Sequence, residues 1–382
     1  MNAKWEQHKL GEVVSVFDGT HQTPNYKTKG IMFLSVENIN TLLSNKYISE
    51  NEYRQRFKIK PQYLDVFMTR IGTIGKTNVI TTHKPIAYYV SLALLRPQNI
   101  QSFFLSFIIQ TSKVQQDIWK STLQIAFPQK INKDEIGKVT LALPLQKEQI
   151  DIEKLLLKLD KLITLQQRKL KQLNLLQRYI KEKTLPSQKE LPKLRFLTTP
   201  YNTYKFSELF KKSTKKNDGQ ILQNHVISVA SMRWGKLPKS SSEAYMKTYF
   251  IFNKGDIAYE GNRSKSYSFG RFVANDLGNG IVSHVFSVFN SKINFNLEFL
   301  KNYINSEQVM RDPLRMSTSR TTMMTNLVLK DIAKQTLMIP SKDEQDLLGS
   351  LYKITQSMIE LNEKQQQELI YLKKYLLQKL FI

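Results

Sequence analysis

The stretch from Pro144 to Pro186 constrains this chain more than any other. It contains no glycine. Its apolar residues recur at three- and four-residue steps: Ile152, Leu155, Leu159, Leu162, then Leu170, Leu173, Leu176 and Ile180. That is the seam spacing of a coiled coil. Pro144 stands before the start, where a missing N–H costs little, and Pro186 ends the run. The pattern predicts one helix of about 40 residues, roughly 60 Å long. A helix of that length with one apolar seam cannot bury it alone, so it needs a partner helix.

The partner lies in the same chain. Aligning Pro340 with Pro144 sets an offset of 196 (340 − 144). Glu148 then meets Glu344, Gln149 meets Gln345, Leu155 meets Leu351, Ile163 meets Ile359 and Tyr179 meets Tyr375. About a dozen identities at one offset over roughly 50 residues make an internal repeat. Two unrelated amphipathic helices would share leucines, but not the proline, the Glu-Gln pair and the tyrosine. The repeat also reaches the amino terminus: residues 9–14 (KLGEVV) align with 205–210 (KFSELF) at the same offset.

The chain therefore reads as two similar halves. Residues 1–143 form a first globular domain and 144–186 a long helix; 187–200, with Pro192 and Pro200, form a linker. Residues 201–339 form a second globular domain and 340–382 a second long helix. Strands are expected at 13–17, 31–36, 64–69, 88–95 and 138–143, with a helix over 103–119. In the second half, strands are expected at 225–230, 256–259, 268–275 and 281–289, with a helix over 296–310. The fold class is α+β: two β-rich α+β domains joined by two long helices, with a pseudo-two-fold internal repeat. Related repeats that face each other about an axis lying across them run in opposite directions. The helices are thus expected to form an antiparallel coiled coil, crossing near the equivalent residues Gln166 and Asn362.

Charge points to the partner. Lys and Arg number 57 against 32 Asp and Glu, a net +25. Such an excess suits a polyanion, nucleic acid first. There is no cysteine, hence no disulfide framework and no thiolate metal site. The first residues, MNAKWEQHKL, lack a signal-peptide core, and no apolar run approaches the ~20 residues of a membrane span. A cytoplasmic protein with no membrane partner is expected.

The loops carry the residue types that grip DNA. Arg and Lys hold phosphates or read guanine, Asn and Gln read adenine, and Ser and Thr serve either role. Candidate DNA-binding residues are Arg70 and Lys76 in the first half. In the second half they are Arg233, Asn262, Arg263, Lys265, Arg320 and Thr321. Loops are polar anyway, so the net charge carries this reading more than any single loop does.

Motifs for chemistry are missing. Residues 70–77 (RIGTIGKT) superficially resemble a phosphate-binding loop, but Arg70 stands where that motif needs its first glycine. No GxGxxG follows a strand. The proline-paired tetrapeptide of adenine methyltransferases is absent; 311–314 (RDPL) lacks the second proline and the aromatic. His8, His21, His83, His225 and His284 show no ligand spacing, and no GxSxG occurs. No catalytic, cofactor-binding or metal-binding residue is assigned.

Two basic loop-bearing domains, each tied to one helix of a pair, make a plan that resembles the specificity subunit of type I DNA restriction–modification systems. The resemblance covers essentially the whole chain. It is carried by WEQHKLGEV from Trp5, GIMFLSVENI from Gly30, VFMTRIGTIGK from Val66, PLQKEQIDIEKLLLKLDKLI from Pro144 and PSKDEQ from Pro340. One departure is Leu64-Asp65, where the pattern has Gly-Asp; the second half keeps Gly255-Asp256. The resemblance implies two target recognition domains, each binding one half of a bipartite, asymmetric site in double-stranded DNA. It implies that the helices dock two methyltransferase subunits, with restriction/translocase subunits recruited on top. S-adenosylmethionine, ATP and Mg²⁺ would belong to those partners, and this chain would hold no cofactor and catalyse nothing. A stand-alone DNA-binding regulator, and a coiled-coil scaffold whose charge meets RNA or membrane, are the competing readings.

Overall fold

The computed structural model describes residues 5–123, 125–187, 190–219, 221, 225–235, 243–320 and 324–381. The chain divides into two compact units, residues 1–167 with 364–382, and residues 168–363. Both cuts fall inside long helices, Gln146–Thr184 and Lys342–Lys379. Each unit thus holds one globular part, the near half of its own helix and the far half of the other.

In the first unit, a four-stranded antiparallel sheet runs in the order Val14–Asp18, Leu92–Pro97, Val66–Thr69, Thr77–Val79. Beside it, Ile31–Leu34 pairs with Tyr47–Ile48 antiparallel and with Ile86–Tyr88 in parallel. The second unit repeats the four-stranded sheet with Phe210–Lys212, Ser287–Ser291, Ile257–Glu260 and Arg271–Ala274. The strands that close each domain obey the sequence offset. Glu6–Lys9 pairs with Thr140–Leu143, and Asn202–Lys205 with Thr336–Ile339, in the same register.

Four sequence expectations split in two. The apolar runs 88–95 and 281–289 are each a pair of strands belonging to different sheets: Ile86–Tyr88 with Leu92–Pro97, and Gly280–Val282 with Ser287–Ser291. Periodicity sees one apolar run because both strands are buried. The helical runs 103–119 and 296–310 are each two helices, Ser102–Ile109 with Ser112–Lys120, and Leu297–Ile304 with Glu307–Ser317. The last runs through Pro313 to Ser317, past the expected end at residue 310.

The helix pair is antiparallel inside each unit. In the first, Lys373 Nζ lies 2.5 Å from Asp160 Oδ1, and Gln166 Nε2 donates to Gln365 Oε1 at 3.0 Å. In the second, Gln177 Nε2 donates to Gln356 Oε1 at 2.9 Å, and the Thr184 and Tyr352 hydroxyls share a hydrogen bond of 2.7 Å. As one number rises the other falls. Gln166 thus finds an amide partner three residues along from its equivalent Asn362.

The seam needs one correction. Leu155, Leu162 and Leu176 are about half exposed, at 45%, 51% and 48%, while Leu156 is fully buried. The covered face instead runs through Ile152, Leu156, Leu159, Ile163, Gln166, Leu170, Leu173, Gln177 and Ile180, an unbroken 4-3 alternation. Its equivalents Leu348, Tyr352, Thr355, Ile359, Asn362, Gln366 and Leu369 are covered in the other helix. The leucines that mislead belong to a second, outward stripe: Leu162, Leu165, Leu175, Leu176 and Tyr179, with Met358, Leu361, Tyr371, Leu372 and Tyr375 as their equivalents.

The repeated Glu-Gln pair has a structural explanation. Gln149 Nε2 donates to the Pro144 carbonyl at 3.1 Å while its Oε1 accepts the Gln101 N–H, at the start of the Ser102–Ile109 helix. Gln345 makes the same two bonds, to Pro340 and from Asn296, before the Leu297–Ile304 helix. Each glutamine locks a domain helix to the base of a long helix. Glu148 accepts the Trp5 indole N–H, and buried Glu344 accepts the N–H groups of Phe196 and Leu197. The presumed linker is therefore anchored at its end.

A second repeated device is a turn. Gln62 N–H donates to Asp65, and Asn253 N–H to Asp256. The residue before each aspartate is left-handed, with φ +69° at Leu64 and +90° at Gly255. The second half uses the residue that accepts this conformation at no steric cost; the first half does not.

Candidate nucleic-acid interface

In the first unit the loop 70–76 closes the strand pair Val66–Thr69 and Thr77–Val79. The Thr69 hydroxyl accepts the Lys76 N–H at 2.9 Å, and the Thr69 carbonyl accepts the Gly75 N–H at 2.9 Å. Gly72 and Gly75 are left-handed, at φ +78° and +82°. Those glycines shape a hairpin loop rather than a phosphate cradle. Lys76 is exposed on it.

Arg70 is not on that surface, which corrects the expectation. Its side chain is buried, its guanidinium is ion-paired with Asp18, and its Nε donates to the Ile131 carbonyl. Its backbone bonds Ser91 and Ile131 on either side. Arg70 holds the loop's base together and leaves no donor fork aimed at solvent.

In the second unit the equivalent ground is the loop 262–267. Asn262 bridges Met324, and the Thr325 N–H donates to the Gly261 carbonyl at 2.9 Å. A Cβ on Gly261 would lie 2.2 Å from the Thr325 carbonyl oxygen, so only glycine permits this approach. The loop is tight: Ser264 and Tyr267 exchange backbone hydrogen bonds, and the Tyr267 hydroxyl donates to Asn305 at 2.7 Å. Asn262, Arg263 and Lys265 are exposed on it. The structure thus brings them beside the strand pair Thr318–Arg320 and Thr325–Leu327, which carries Arg320. Thr321, and Lys236 of the Arg233 loop, lie outside the described residues.

Arg233 is exposed on the strand Arg233–Trp234, paired with Ile227–Ser228. The turn between them is tied down by Arg271, which donates to the Ala230 carbonyl at 2.8 Å and to buried Glu260 at 2.7 Å. That turn and the 266–267 segment wall a cleft of about 590 Å³ whose far side includes Lys181 and Lys301. Burial, then the charge of Lys301, pushes the Lys181 ammonium below the ordinary lysine range. Burial alone would lower Lys301 as well, but Asp276 and Glu298 raise it overall. The pairing Arg271–Glu260 and the Arg271–Ala230 bond gave no sequence signal, because neither partner lies in a loop motif.

Among the described residues no group of three or more His, Asp or Glu is placed to hold a metal ion, and no helix is long and apolar enough to cross a membrane. The arrangement consists of exposed cations and amides on loops whose feet are fixed by buried polar contacts. Cations and amides are the groups that hold phosphates and read base edges in nucleic-acid interfaces.

The class this defines is a repeated α+β scaffold that presents basic, polar loops. Residues 2–175 match the family described as "Type I restriction modification DNA specificity domain". No curated protein sequence matches the chain. Among solved structures it is similar to the S subunit of a type I restriction–modification system from M. genitalium, at TM-score 0.60 and 13% identity, covering 100% of this chain and 97% of that one. It is similar to the HsdS subunit of Thermoanaerobacter tengcongensis at TM-score 0.52 and 14% identity, again covering 100% and 97%. A third similar chain, at TM-score 0.60 and 12% identity over 99% and 97%, comes from a study of type I system assembly and conformational transition. The first part of the chain thus matches a DNA specificity domain of type I restriction–modification systems, and the whole chain shares the fold of S subunits of such systems.

Proposed function

We propose that each half of the chain binds one part of a bipartite, asymmetric sequence in double-stranded DNA, while the outward stripes of the long helices dock two methyltransferase subunits. The observation that carries this is the repeat itself. Closing strands, clamp glutamines and helix seams recur at an offset of 196 residues, whereas the loops set on them differ. A repeated scaffold with divergent loops suits two reading heads with different half-sites. In the first half Lys76 faces DNA, with Arg70 supporting the loop beneath it. In the second half Asn262, Arg263, Lys265 and Arg233 do so, with Arg320 on the neighbouring strand pair, and Thr321 is proposed with them from the sequence alone.

Half-exposed leucines and tyrosines repeated along both helices are apolar surface of the kind that marks a protein interface. This chain contributes sequence choice. The methyltransferase and restriction/translocase subunits bring S-adenosylmethionine, ATP and Mg²⁺, and the complex works in the cytoplasm. Methylation mapping of DNA from cells carrying the complex, repeated with residues 201–339 exchanged for another recognition domain, tests it. One half-site should change and the other should persist. Loss or change of both half-sites refutes independent heads, and binding without any co-purifying methyltransferase refutes the docking role.

A further inference from the structure

We propose that the loop tip carrying Ile125 and Phe127 is an apolar wedge that enters duplex DNA and parts or stacks on a base step. The idea rests on the DNA-reading role proposed above for the first half.

Phe127 and Ile125 are 104% and 101% exposed, and among the described residues no other large apolar side chain exceeds the 72% of Tyr371. A single exposed apolar residue needs no explanation. Two on one short tip differ, because the loop beneath them is built. Leu123 N–H donates to the Lys130 carbonyl at 2.9 Å, closing the loop's neck. One foot is held by Thr122, buried, whose hydroxyl donates to the Ile118 carbonyl at 2.8 Å. The other foot is Ile131, wholly buried in the domain core. The tip therefore stands out from an anchored base.

Its position points to the occupant. Lys130 bridges Ile71, and the Gly72 N–H donates to the Gln129 carbonyl at 2.8 Å. The wedge thus flanks the loop that carries Lys76. Lys76, Lys120 and Lys130 are all exposed on these segments. A second copy of the chain would bring the same cations against them, and a net charge of +25 opposes that. Duplex DNA offers the complement: anionic phosphates at its rim and an apolar base stack immediately behind. Phe and Ile are among the side chains that wedge base steps.

The test uses the full-length chain and duplexes selected by it from a random-sequence library. Phe127→Ala should weaken binding to the selected duplex by about tenfold to a hundredfold. The salt dependence should stay as in the wild type, since no phosphate contact is lost. Phe127→Trp should retain affinity, and Lys130→Ala should instead lower the salt slope by about one. With 2-aminopurine placed along the duplex, the wild type should raise fluorescence at one step and Phe127→Ala should not. Because both side chains are fully exposed, the melting temperature should not move. If the wild type selects no duplex, the DNA-reading role itself fails. If it selects one but the Ile125→Ala/Phe127→Ala double variant binds equally well with no loss of fluorescence signal, the wedge is overturned and the DNA-reading role stands. Loss confined to binding of anionic phosphatidylserine vesicles, or a change only in oligomeric state, overturns it too.

Discussion

Removing the clamp glutamine should loosen one domain helix in each half by the same amount. Gln149→Ala deletes the amide that accepts the Gln101 N–H at 3.3 Å and donates to the Pro144 carbonyl at 3.1 Å. The side chain is 4% exposed, so water cannot readily replace it. Each buried backbone group left without a partner costs about 1–3 kcal/mol. One bond is long, so the pair should cost about 3 kcal/mol in total, on the order of a hundredfold in the local opening equilibrium. Amide hydrogen exchange followed by mass spectrometry should show this for Ser102–Ile109 and the first turn of Gln146–Thr184. Gln345→Ala should do the same to Leu297–Ile304, because Gln345 is 3% exposed and makes equivalent bonds. Gln149→Glu should not rescue, since a carboxylate faces the Pro144 carbonyl with no proton to donate. Unchanged protection of Ser102–Ile109, or an effect in one half only, would refute the reasoning.

Leu64→Gly should raise stability by about 0.5–1 kcal/mol, relieving a left-handed leucine at the cost of unfolded-chain entropy; a drop in the urea midpoint would count against it. Arg70→Ala should destabilise the first unit by about 2–4 kcal/mol by orphaning Asp18 and the Ile131 carbonyl, discounted because Asp18 is partly solvated. Loss of DNA affinity in Arg70→Ala without any fall in melting temperature would return Arg70 to the interface. Arg263→Ala should weaken DNA binding by about 1–3 kcal/mol if it reads a base, and lower the salt slope by about one if it holds a phosphate; no change in either removes it from the DNA face. Lys181→Met should raise the melting temperature at neutral pH. Folding lowers the Lys181 pKa, so its charged form penalises the fold below that lowered value and the penalty vanishes above the ordinary 10.5. The gain should therefore shrink as pH rises through that window, and a gain independent of pH would contradict it.

The repeat, the long helices and the basic loops were legible in the sequence because each rests on local pattern. Prolines bound the helices, a 196-residue offset recurs in side-chain identity, and charge is additive along a chain. The two-domain plan and the antiparallel direction of the helices followed from those alone. Which leucines face inward did not. Two apolar stripes share one helix, and periodicity cannot say which of Leu155 and Leu156 the partner covers. Tertiary structure decided it through the 4-3 run that matches both helices at once.

The same limit explains Arg70. An arginine after a strand reads as a phosphate contact, until Asp18 and Ile131, 52 and 61 residues away, enclose it. Nor could spacing reveal that Gly261 and Thr325, 64 residues apart, touch backbone to backbone and so set Asn262 beside Met324, at the strand paired with the one that carries Arg320. Sequence determines which groups a loop offers. Burial and long-range hydrogen bonding decide which of them are consumed by the fold and which remain for DNA.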